Sequence, residues 1–301
     1  MATAGLQGGG AMSRVAVIGS TGQLGREVVR AMEESGAHVV VSLGHDAVEC
    51  TDQKSVREAL IGARPDVVVN CAAFVRVDEC EDRPREALEV NAVGALHVAR
   101  VSAELDALCV YVSTDYVFPG DRSGSYTEED RPGPINVYGL TKLAGEYLVQ
   151  QACPRWLIVR LASLFGKTGA RGKGGNFVET VLNRARAGEG LRVVDDVRMS
   201  PTYAVDAARA LQALIAKRAM GIIHLTNQGA CSWYEFARAA LACAHAEGAI
   251  EPVSSTDYPT RARRPPDSSL HSARLAAILG QDLRPWREAL RAYLVETGRV
   301  F

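Results

Sequence analysis

Tyr138 and Lys142 form a Tyr-x-x-x-Lys motif at the start of a predicted helix, just after the proline-punctuated segment Arg131–Ile135. Residues four positions apart lie on the same face of a helix, so we expect the two side chains to be neighbours. A tyrosine hydroxyl, with a pKa of about 10, is a poor acid or base at neutral pH, but an adjacent ammonium favours its ionised form. The pair therefore indicates a proton-transfer centre.

A hydroxyl group is predicted to lie near this pair. Thr114 follows Ser113 at the end of a short apolar run typical of a buried strand, and a hydroxyl at that place can bind a carbonyl oxygen. A Tyr-x-x-x-Lys spacing on its own occurs on many solvent-exposed helices. The strand-end hydroxyl, taken together with a glycine-rich loop earlier in the chain, favours the catalytic interpretation.

Gly19, Gly22 and Gly25 follow the first predicted strand, Val15–Ile18, in the spacing Gly-x-x-Gly-x-x-Gly and lead into a helix. Glycines in such a turn let the backbone approach a pyrophosphate, which binds at the helix N-terminus because unpaired N–H groups and the helix dipole favour negative charge there. The triplet alone is weak evidence, but its position on the first strand-to-helix turn strengthens it. The loop predicts a dinucleotide cofactor, whose oxidised nicotinamide would add positive charge near the tyrosine.

The end of the second predicted strand bears on which nicotinamide dinucleotide is used. Proteins that prefer NAD place an acidic residue about 20 residues after the glycine loop, where it binds the ribose hydroxyls. In this chain Leu43 stands at that distance, followed by Gly44 and His45. Because no carboxylate there would repel a 2′-phosphate, the sequence favours NADPH and leaves NADH open.

Short apolar runs alternate along the chain with segments of helical periodicity, which is typical of a parallel sheet covered by helices on both faces. The predicted strands are Arg14–Ile18, His38–Leu43, Asp66–Asn70, Leu108–Ser113 and Arg155–Arg160. The predicted helices are Leu24–Ser35, Ser55–Ala63, Pro84–Asp106 and Tyr138–Ala152. We therefore predict an α/β fold, a Rossmann-type doubly wound parallel sheet with a smaller C-terminal substrate lobe.

Three segments are predicted along the chain. Residues 1–12 form a flexible N-terminal tail, residues 13–165 form the NAD(P)-binding Rossmann core, and residues 166–301 form a substrate-binding lobe that begins with a glycine-rich loop. Within the lobe we expect helices at Asn176–Ala187 and Ala204–Lys217 and strands at Leu191–Val194 and Ile222–Leu225. The boundary stays open because late strands can rejoin the core sheet.

The composition excludes several classes of protein. The chain has 301 residues, of which 47% are hydrophobic and 23% charged, and its formal net charge is −1, which excludes a disordered chain and gives no sign of nucleic-acid binding. No apolar run approaches the ~18 residues that a membrane helix needs. Cysteines without a Cys-x-x-Cys pair argue against a disulfide framework or a zinc site, and the N-terminal residues lack a signal-peptide pattern. We expect a cytoplasmic protein.

Nine segments, taken in order, carry a more specific signal than any single motif: Gly19–Gly25, Val68–Phe74, Val77–Glu81, Val112–Phe118, Asn136–Glu146, Gly175–Val178, Ser200–Tyr203, His224–Ala237 and Ala262–Pro265. Together they resemble the dTDP-4-dehydrorhamnose reductase family, a branch of the extended short-chain dehydrogenase/reductases. The resemblance runs from about Arg14 to the C-terminus. It implies an oxidoreductase that reduces dTDP-4-dehydro-β-L-rhamnose to dTDP-β-L-rhamnose with NAD(P)H, in dTDP-rhamnose biosynthesis.

The resemblance also implies roles for individual residues. The catalytic set would be Thr114, Tyr138 and Lys142, with Tyr138 as the proton donor. The cofactor would be bound by Gly19, Thr21, Gly22, Gln23, Leu24, Gly25, Cys50, Thr51, Ala72, Ala73, Phe74, Val75, Tyr138 and Lys142. The substrate would be contacted by Val77, Thr114, Asp115, Tyr116 and Ser163.

Two of these positions depart from the family's pattern. Cys50 stands before Thr51, where the family often has an aspartate near the adenine. Ser163 stands where some members have a tryptophan that stacks on the substrate. The first departure concerns the adenine site and the second concerns the sugar pocket.

Three alternatives to this activity are considered. The substrate could be another nucleotide 4-keto-6-deoxysugar. Nucleotide-sugar dehydratases share the fold but typically need an acid directly after the Thr-Asp pair, where this chain has Tyr116, which argues for reduction. A non-catalytic NADP-binding regulatory subunit, like that of methionine adenosyltransferase, resembles the same family.

The expected partner is a small nucleotide-sugar substrate, with no nucleic acid and no membrane, in a monomer or a homodimer. Some relatives use magnesium at a subunit contact. No acidic cluster in this sequence can be assigned to magnesium, so we predict no metal ligands.

Other conspicuous residues are interpreted more simply. His224 is expected to be a satisfied core histidine, and the aromatic residues after the predicted N-cap Ser232 are expected to serve packing: Trp233, Tyr234 and Phe236. Rigid arginines between prolines suit phosphate binding, which is the role predicted for Arg261, Arg263 and Arg264. In the glycine-rich loop, a solvated role and a diphosphate-binding role remain equally open for Lys167, Arg171 and Lys173.

Overall fold

A computed structural model of the chain describes residues 12–168 and 176–299. The predicted N-terminal tail, apart from Met12, lies outside the described residues. Most of the predicted glycine-rich loop, including Arg171 and Lys173, lies outside them as well.

Strands and helices alternate up to residue 165. In chain order they are β1 (Ser13–Ile18), α1 (Gln23–Glu34), β2 (His38–Leu43), α2 (Gln53–Ala63), β3 (Val67–Asn70), α3 (Val77–Asp82), α4 (Pro84–Leu88), α5 (Gly94–Glu104), β4 (Leu108–Thr114), α6 (Val137–Ala152), β5 (Trp156–Leu161) and β6 (Leu164–Phe165). A π-helical turn at Glu89–Val93 joins α4 to α5, and a 3-10 turn at Asp115–Val117 follows β4.

The later elements are shorter and less regular. They are α7 (Phe177–Arg186), β7 (Leu191–Val194), β8 (Arg198–Met199), β9 (Thr202–Tyr203), α8 (Ala204–Ala216), β10 (Gly221–His224), β11 (Cys231–Ser232), α9 (Trp233–Cys243), β12 (Ile250–Val253), α10 (Leu275–Leu279) and α11 (Trp286–Glu296), with a 3-10 turn at Ser255–Asp257. Among the helices that the structure describes, none is long and apolar enough to cross a membrane.

Six strands form one parallel sheet in the order β2-β1-β3-β4-β5-β10. The strand order reverses at β1, because β2 pairs on one side of β1 and β3 pairs on the other. The loops after β1 and β3 therefore diverge, which leaves a crevice at the carboxyl edge of the sheet where ligands of open α/β folds bind. The predicted doubly wound parallel sheet is confirmed.

Alternate residues of β1 face two different apolar cores, as the period of a strand requires. Val15 and Val17 pack with α1 and α8 on one face of the sheet. Ala16 and Ile18 pack with α2, α5 and α6 on the other face. Helices thus cover both faces, which explains why the strands are nearly continuous runs of apolar residues.

A further apolar cluster lies among α7, α9 and α11, with Phe165 and Tyr203 among its aromatic members. The segments after residue 165 are divided between this cluster and the main sheet: β10 pairs with β5, and α8 and α10 pack on the same core as β1. Elements that follow residue 165 are therefore part of the sheet layers. The division of the chain at residue 165 into two domains stays a prediction.

The predicted helix Pro84–Asp106 is interrupted in the structure. The π-helical turn Glu89–Val93 adds a residue per turn and directs the Asn91 side chain into the buried interior. The two-residue strands of the lobe were not predicted, because two residues carry no periodicity. The remaining predicted strands and helices agree with the structure to within one or two residues at each end.

Candidate active site

A cavity of about 440 Å3 lies at the carboxyl edge of the sheet, where β1, β3, β4 and β5 end. Most of the residues that the sequence assigns to a site line it: Gly22, Gln23, Leu24, Gly25, Ala73, Val75, Val77, Thr114, Asp115, Tyr116, Tyr138, Lys142 and Ser163. The structure therefore brings the glycine turn and the Tyr-x-x-x-Lys motif into one cavity. They are 113 or more residues apart in the sequence, and only the parallel sheet brings them together.

The other assigned residues do not line this cavity, and these are Gly19, Thr21, Cys50, Thr51, Ala72 and Phe74. Cys50 is buried against Gly94, and its carbonyl oxygen lies 3.1 Å from Nδ1 of His97. Thr51 is exposed and donates its hydroxyl to Glu49, 2.8 Å away. The roles proposed for these residues toward the cofactor remain predictions.

The turn after β1 has no room for side chains. Gly19 has a positive φ of 72°, and a Cβ on it would lie 2.9 Å from the Ala72 backbone nitrogen. A Cβ on Gly25 would lie 2.9 Å from the Gly19 carbonyl carbon and closer still to its oxygen. Gly22 is the N-cap of α1 and has no side chain to occupy the first N–H groups of the helix. The helix N-terminus is therefore available to an anion.

Thr114 and Tyr138 meet where the end of β4 faces the beginning of α6. Asn136 caps α6 by accepting a hydrogen bond from the Gly139 N–H at 2.8 Å, which fixes the first turn that carries Tyr138. The Thr114 hydroxyl donates to Asp115 Oδ1 at 2.9 Å, and the Thr114 and Tyr138 side chains both line the cavity. Lys142 lies one turn further along α6, fully buried, with Nζ 4.0 Å from the centre of the Tyr111 ring.

Burial dominates the electrostatics of this cluster. Burial and the charge of Asp115 raise the pKa of Tyr138 well above the usual value of a tyrosine. Burial also lowers the pKa of Lys142 to about 7, although the Glu146 carboxylate acts in the opposite direction. The sequence suggested that the lysine would favour the phenolate, but in the structure burial outweighs that effect. Tyr138 therefore holds its proton at neutral pH, as a proton donor must.

Known proteins share this architecture over nearly the whole chain. The family model described as RmlD substrate binding domain matches residues 13–298. The spore coat polysaccharide biosynthesis protein SpsK of Bacillus subtilis is 40% identical over 285 residues, which cover 95% of this chain and 98% of that protein. The dTDP-4-dehydrorhamnose reductase of Mycolicibacterium smegmatis is 39% identical over 282 residues, or 92% of this chain and 84% of that protein.

A solved structure extends the comparison to three dimensions. The crystal structure of dTDP-4-dehydrorhamnose reductase from Bacillus anthracis in complex with NADP superimposes with a TM-score of 0.89 at 34% identity, and the match covers 95% of this chain and 100% of that one. The chain belongs to the dTDP-4-dehydrorhamnose reductase family. The family predicted from the sequence motifs is confirmed, and so is the class of activity, an oxidoreductase.

In this family member, an asparagine that the sequence analysis missed holds the loop after β3. The Asn91 side chain accepts from the Phe74 N–H at 2.8 Å, donates to the Phe74 carbonyl at 3.2 Å and donates to the Thr141 hydroxyl at 3.0 Å. It therefore connects the loop that carries Ala73 and Val75 to α6. The only signal in the sequence was a polar residue within an otherwise apolar helical face.

Three aromatic side chains line the cavity and form an aromatic wall. Phe177, Trp233 and Phe236 line it, and the ring centres of Phe177 and Trp233 are 4.8 Å apart in an edge-to-face arrangement. The packing expected of the aromatic residues after Ser232 agrees with the structure, where Phe236 belongs to the apolar cluster and Trp233 and Tyr234 pack against it. Trp233 and Phe236 also line the cavity, which the sequence did not predict. The predicted capping of α9 by Ser232 is confirmed by a complete capping box with Glu235.

The arginines between prolines bind carboxylates of the protein. Arg264 contacts Asp78 through Nη2 at 2.8 Å, and Arg261 pairs with Asp82. The phosphate contacts predicted for these arginines stay a prediction, and in the structure ion pairs of Arg261 and Arg264 fasten this loop to α3. The reason is that α3, which the strand-and-helix prediction did not include, presents two acidic residues to the loop.

Ser163 lies in the cavity lining directly after β5 and adopts a left-handed backbone conformation with a φ of 42°. Such a conformation is uncommon for a residue with a Cβ and concentrates at functional sites. Across residues 12–168 and 176–299, no group of three or more His, Cys, Asp or Glu side chains could hold a metal ion.

Replacement of Asp115 by asparagine should change how stability depends on pH. Thr114 donates to Asp115 Oδ1 at 2.9 Å and Ser268 donates to Oδ2 at 2.6 Å, but burial is stronger and raises the pKa of this carboxyl from 3.8 to about 6. A carboxyl whose pKa is higher in the folded than in the unfolded protein stabilises the folded state. This stabilisation is complete at pH values below the pKa of the unfolded protein and is lost as the pH rises through the pKa of the folded protein.

The free energy of unfolding of the parent, minus that of Asp115→Asn, should therefore be largest near about pH 4 and should fall until about pH 7. Urea unfolding at a series of pH values measures this difference. Asp78→Asn is the matched control, because Arg264 lowers the pKa of Asp78 and the difference should then change in the opposite direction. A flat profile for Asp115→Asn would contradict the burial of this carboxyl.

Proposed function

We propose that the protein catalyses the NADPH-dependent reduction of dTDP-4-dehydro-β-L-rhamnose to dTDP-β-L-rhamnose. The observation that carries the proposal is a single cavity that joins the glycine turn after β1 to the Thr114, Tyr138 and Lys142 side chains. The names of the relatives and the bound NADP of the Bacillus anthracis structure support the same reaction.

The glycine turn fits the pyrophosphate of a dinucleotide, since any Cβ on Gly19 or Gly25 would collide with backbone. Gly22, Gln23 and Leu24 would hold the pyrophosphate at the start of α1, and Ala73 and Val75 would lie along the cofactor. Lys142 would bind the nicotinamide ribose. When bound, the nicotinamide supplies a hydride to the keto carbon.

Tyr138 is proposed as the proton donor. Its raised pKa keeps the hydroxyl protonated until negative charge develops on the keto oxygen of the substrate, which then takes the proton. Thr114, which lines the cavity together with Tyr138, would orient the same oxygen. A protonated Lys142 next to the pair would stabilise the phenolate that remains after transfer.

The nucleotide end of the substrate is assigned to the aromatic wall. Phe177, Trp233 and Phe236 present flat apolar faces on which a pyrimidine base can stack. The sugar would then lie between this wall and Tyr138, in contact with Val77, Tyr116 and Ser163. The absence of a large side chain at Ser163 leaves space beside the sugar.

A carboxylate near the end of β2 bears on the proposed preference for NADPH. Leu43 indeed ends β2, but the Asp46 carboxylate lies 2.5 Å from the point where a Cβ on Gly44 would be. Asp46 is exposed, so its side chain is free to turn into solvent when a 2′-phosphate approaches. We therefore keep NADPH as the proposed reductant and NADH as a second one.

Turnover of dTDP-4-keto-6-deoxyglucose, coupled to its epimerase and followed by oxidation of NADPH or NADH, tests the activity. We expect reduction with a kcat/KM for NADPH at least equal to that for NADH. A preference for NADH of about a hundredfold, or about 2.7 kcal/mol, would overturn the cofactor assignment. Turnover only with a different 4-keto sugar nucleotide would change the substrate. NADPH binding without any turnover would favour the non-catalytic regulatory subunit.

Replacement of Tyr138 by phenylalanine keeps the ring and removes only the hydroxyl. General acid catalysis contributes on the order of 10²–10⁴ in rate, so kcat should fall by about that factor while NADPH binding stays nearly unchanged. Thr114→Val should cost less, about 1–3 kcal/mol, because it removes one orienting hydrogen bond. A Tyr138→Phe variant within about threefold of the parent rate would exclude the tyrosine as donor.

Replacement of Gly25 by alanine should weaken NADPH binding by about tenfold or more, because the new Cβ would collide with the Gly19 carbonyl and displace the turn. Gly62→Ala is the matched control: Gly62 lies within α2 and has nothing within 4 Å of the Cβ position. That change should leave binding intact and slightly stabilise the helix. Titration of NADPH fluorescence measures both variants, and equal affinities for them would refute the glycine cradle.

A further inference from the structure

Three polar side chains form a row across β4, β5 and β10, close to the carboxyl ends of these largely apolar strands. Ser113 on β4 is the register partner of Arg160 on β5, and Arg160 is the register partner of His224 on β10. All three are buried, with 4%, 2% and 0% of their surfaces exposed. Register partners in a parallel sheet place their side chains on the same face, so the three groups form one continuous polar row.

The Glu146 carboxylate of α6 connects this row to the catalytic helix. Its Oε1 accepts from the Ser113 hydroxyl at 2.5 Å and from Arg160 Nε at 2.9 Å, and its Oε2 accepts from Arg160 Nη2 at 2.7 Å. Glu146 is 1% exposed and stands one helical turn after Lys142. A bidentate arginine pair with an added hydroxyl donor fixes both the charge and the direction of this carboxylate.

His224 completes the row at the edge strand. Its Nδ1 lies 3.1 and 3.0 Å from the carbonyl oxygens of Tyr126 and His271, which only accept, so Nδ1 carries the proton and Nε2 carries the lone pair. Nε2 and Arg160 Nη1 are both buried and have no hydrogen-bond partner among the residues that the structure describes. Nε2 of His224 is an acceptor and Nη1 of Arg160 is a donor. His224 is therefore a neutral neighbour of Arg160 whose hydrogen-bonding capacity complements that of the arginine.

We propose that Glu146 is a positioning residue for the reaction: its side chain, fixed by Ser113 and Arg160 on the same helix face as Lys142 and one turn further on, holds the Lys142 ammonium in place to bind the cofactor. The inference rests on the proposed function, since it assigns Lys142 to the cofactor. It goes beyond that function because Glu146 itself contacts neither the cofactor nor the substrate, and no residue behind Lys142 had been given a role.

Among the charged groups around Lys142, Glu146 is the main one that raises the pKa of this lysine. Burial lowers the pKa of Lys142 to about 7. Glu146 opposes this change most strongly, and Cys71 opposes it less. Burial also raises the pKa of Cys71 to about 12, so this thiol is neutral and supplies little charge at neutral pH. The other titratable or charged groups on the elements packed against α6 are Asp78, Glu79, Cys80, Glu81 and Asp82 on α3, Arg85 and Glu86 on α4, Glu89 in the π-helical turn, His97, Arg100 and Glu104 on α5, Cys109 and Tyr111 on β4, Asp115 and Tyr116 in the 3-10 turn, and Arg160 on β5.

The Glu146→Gln variant keeps the size of the side chain and removes its charge. We expect the pKa of Lys142 to fall. The pH above which NADPH binding weakens should therefore move downward by about one unit, which corresponds to a tenfold change in the protonated fraction of Lys142. The dissociation constant of NADPH should then be about tenfold higher than that of the parent at about pH 8 and nearly unchanged at about pH 5.

Asp206→Asn provides the control for a purely structural effect. Asp206 is also a buried carboxylate that binds an arginine bidentately, Arg284 at 2.8 and 2.7 Å, and accepts from Asn227 at 2.8 Å, but it lies on α8 outside the cavity lining. Its removal should lower stability without moving the pH profile of NADPH binding. Glu146→Asp keeps the charge but withdraws it by one methylene, so this variant should give an intermediate shift of the pH profile. It replaces Glu146→Gln if that variant does not fold.

Unchanged pH profiles in both Glu146 variants would overturn the proposal, as would an equal shift in Asp206→Asn. The measurement is direct binding, so it does not depend on turnover. If the parent binds NADPH with the expected pH profile but reduces no 4-keto sugar nucleotide, the proposed function fails while the role of Glu146 toward Lys142 stands.

Discussion

The close contact between α6 and the end of β4 is the constraint on which the site depends. Gly139 and Gly145 face this contact, and a Cβ on either would collide with the carbonyl oxygen of Tyr116 or with the hydroxyl of Tyr111. Because both positions are glycine, the helix lies directly against the strand end. This approach brings the Tyr138 and Thr114 side chains into one cavity and buries the lysine that follows one turn later. A helix held even a side chain's thickness away would leave the two hydroxyls unable to act on one oxygen.

The ion pair between Glu146 and Arg160 is better understood as a geometric device than as a source of stability. Removing two charges from water costs about as much as their mutual attraction returns, whereas loss of one partner leaves a buried charge uncompensated and costs about 3–5 kcal/mol. A pair of apolar residues could fill the same volume between α6 and the sheet. It would not fix the rotation of α6 about its axis, which a bidentate contact at 2.9 and 2.7 Å does. The rotation of α6 decides which side chains reach the cavity.

The sequence was informative where the physical cause is local. Continuous apolar runs predicted the parallel strands, and the glycine spacing and the Tyr-x-x-x-Lys motif predicted two parts of the cavity, because each depends on neighbours within one turn or one strand. The sequence was uninformative where the cause is a distant backbone. Asn91 holds the Phe74 loop across 17 residues, and Trp233 reaches the cavity from a helix whose apolar pattern is the same as that of a core helix. Neither relation leaves a periodic signature.

The charge state of the buried cluster suits reduction more than the reverse reaction. In the resting site the phenol of Tyr138 is protonated and the pKa of Lys142 is depressed to about 7, so burial opposes charge on both groups. An alkoxide that forms beside the phenol is a much stronger base than a phenolate, so a raised pKa does not prevent proton transfer to it. In the proposed reaction the resulting phenolate is a new negative charge in the cavity, and it favours the protonated form of the adjacent lysine. In the role proposed for it, Glu146 acts before this moment, because it raises the pKa of the lysine against the effect of burial.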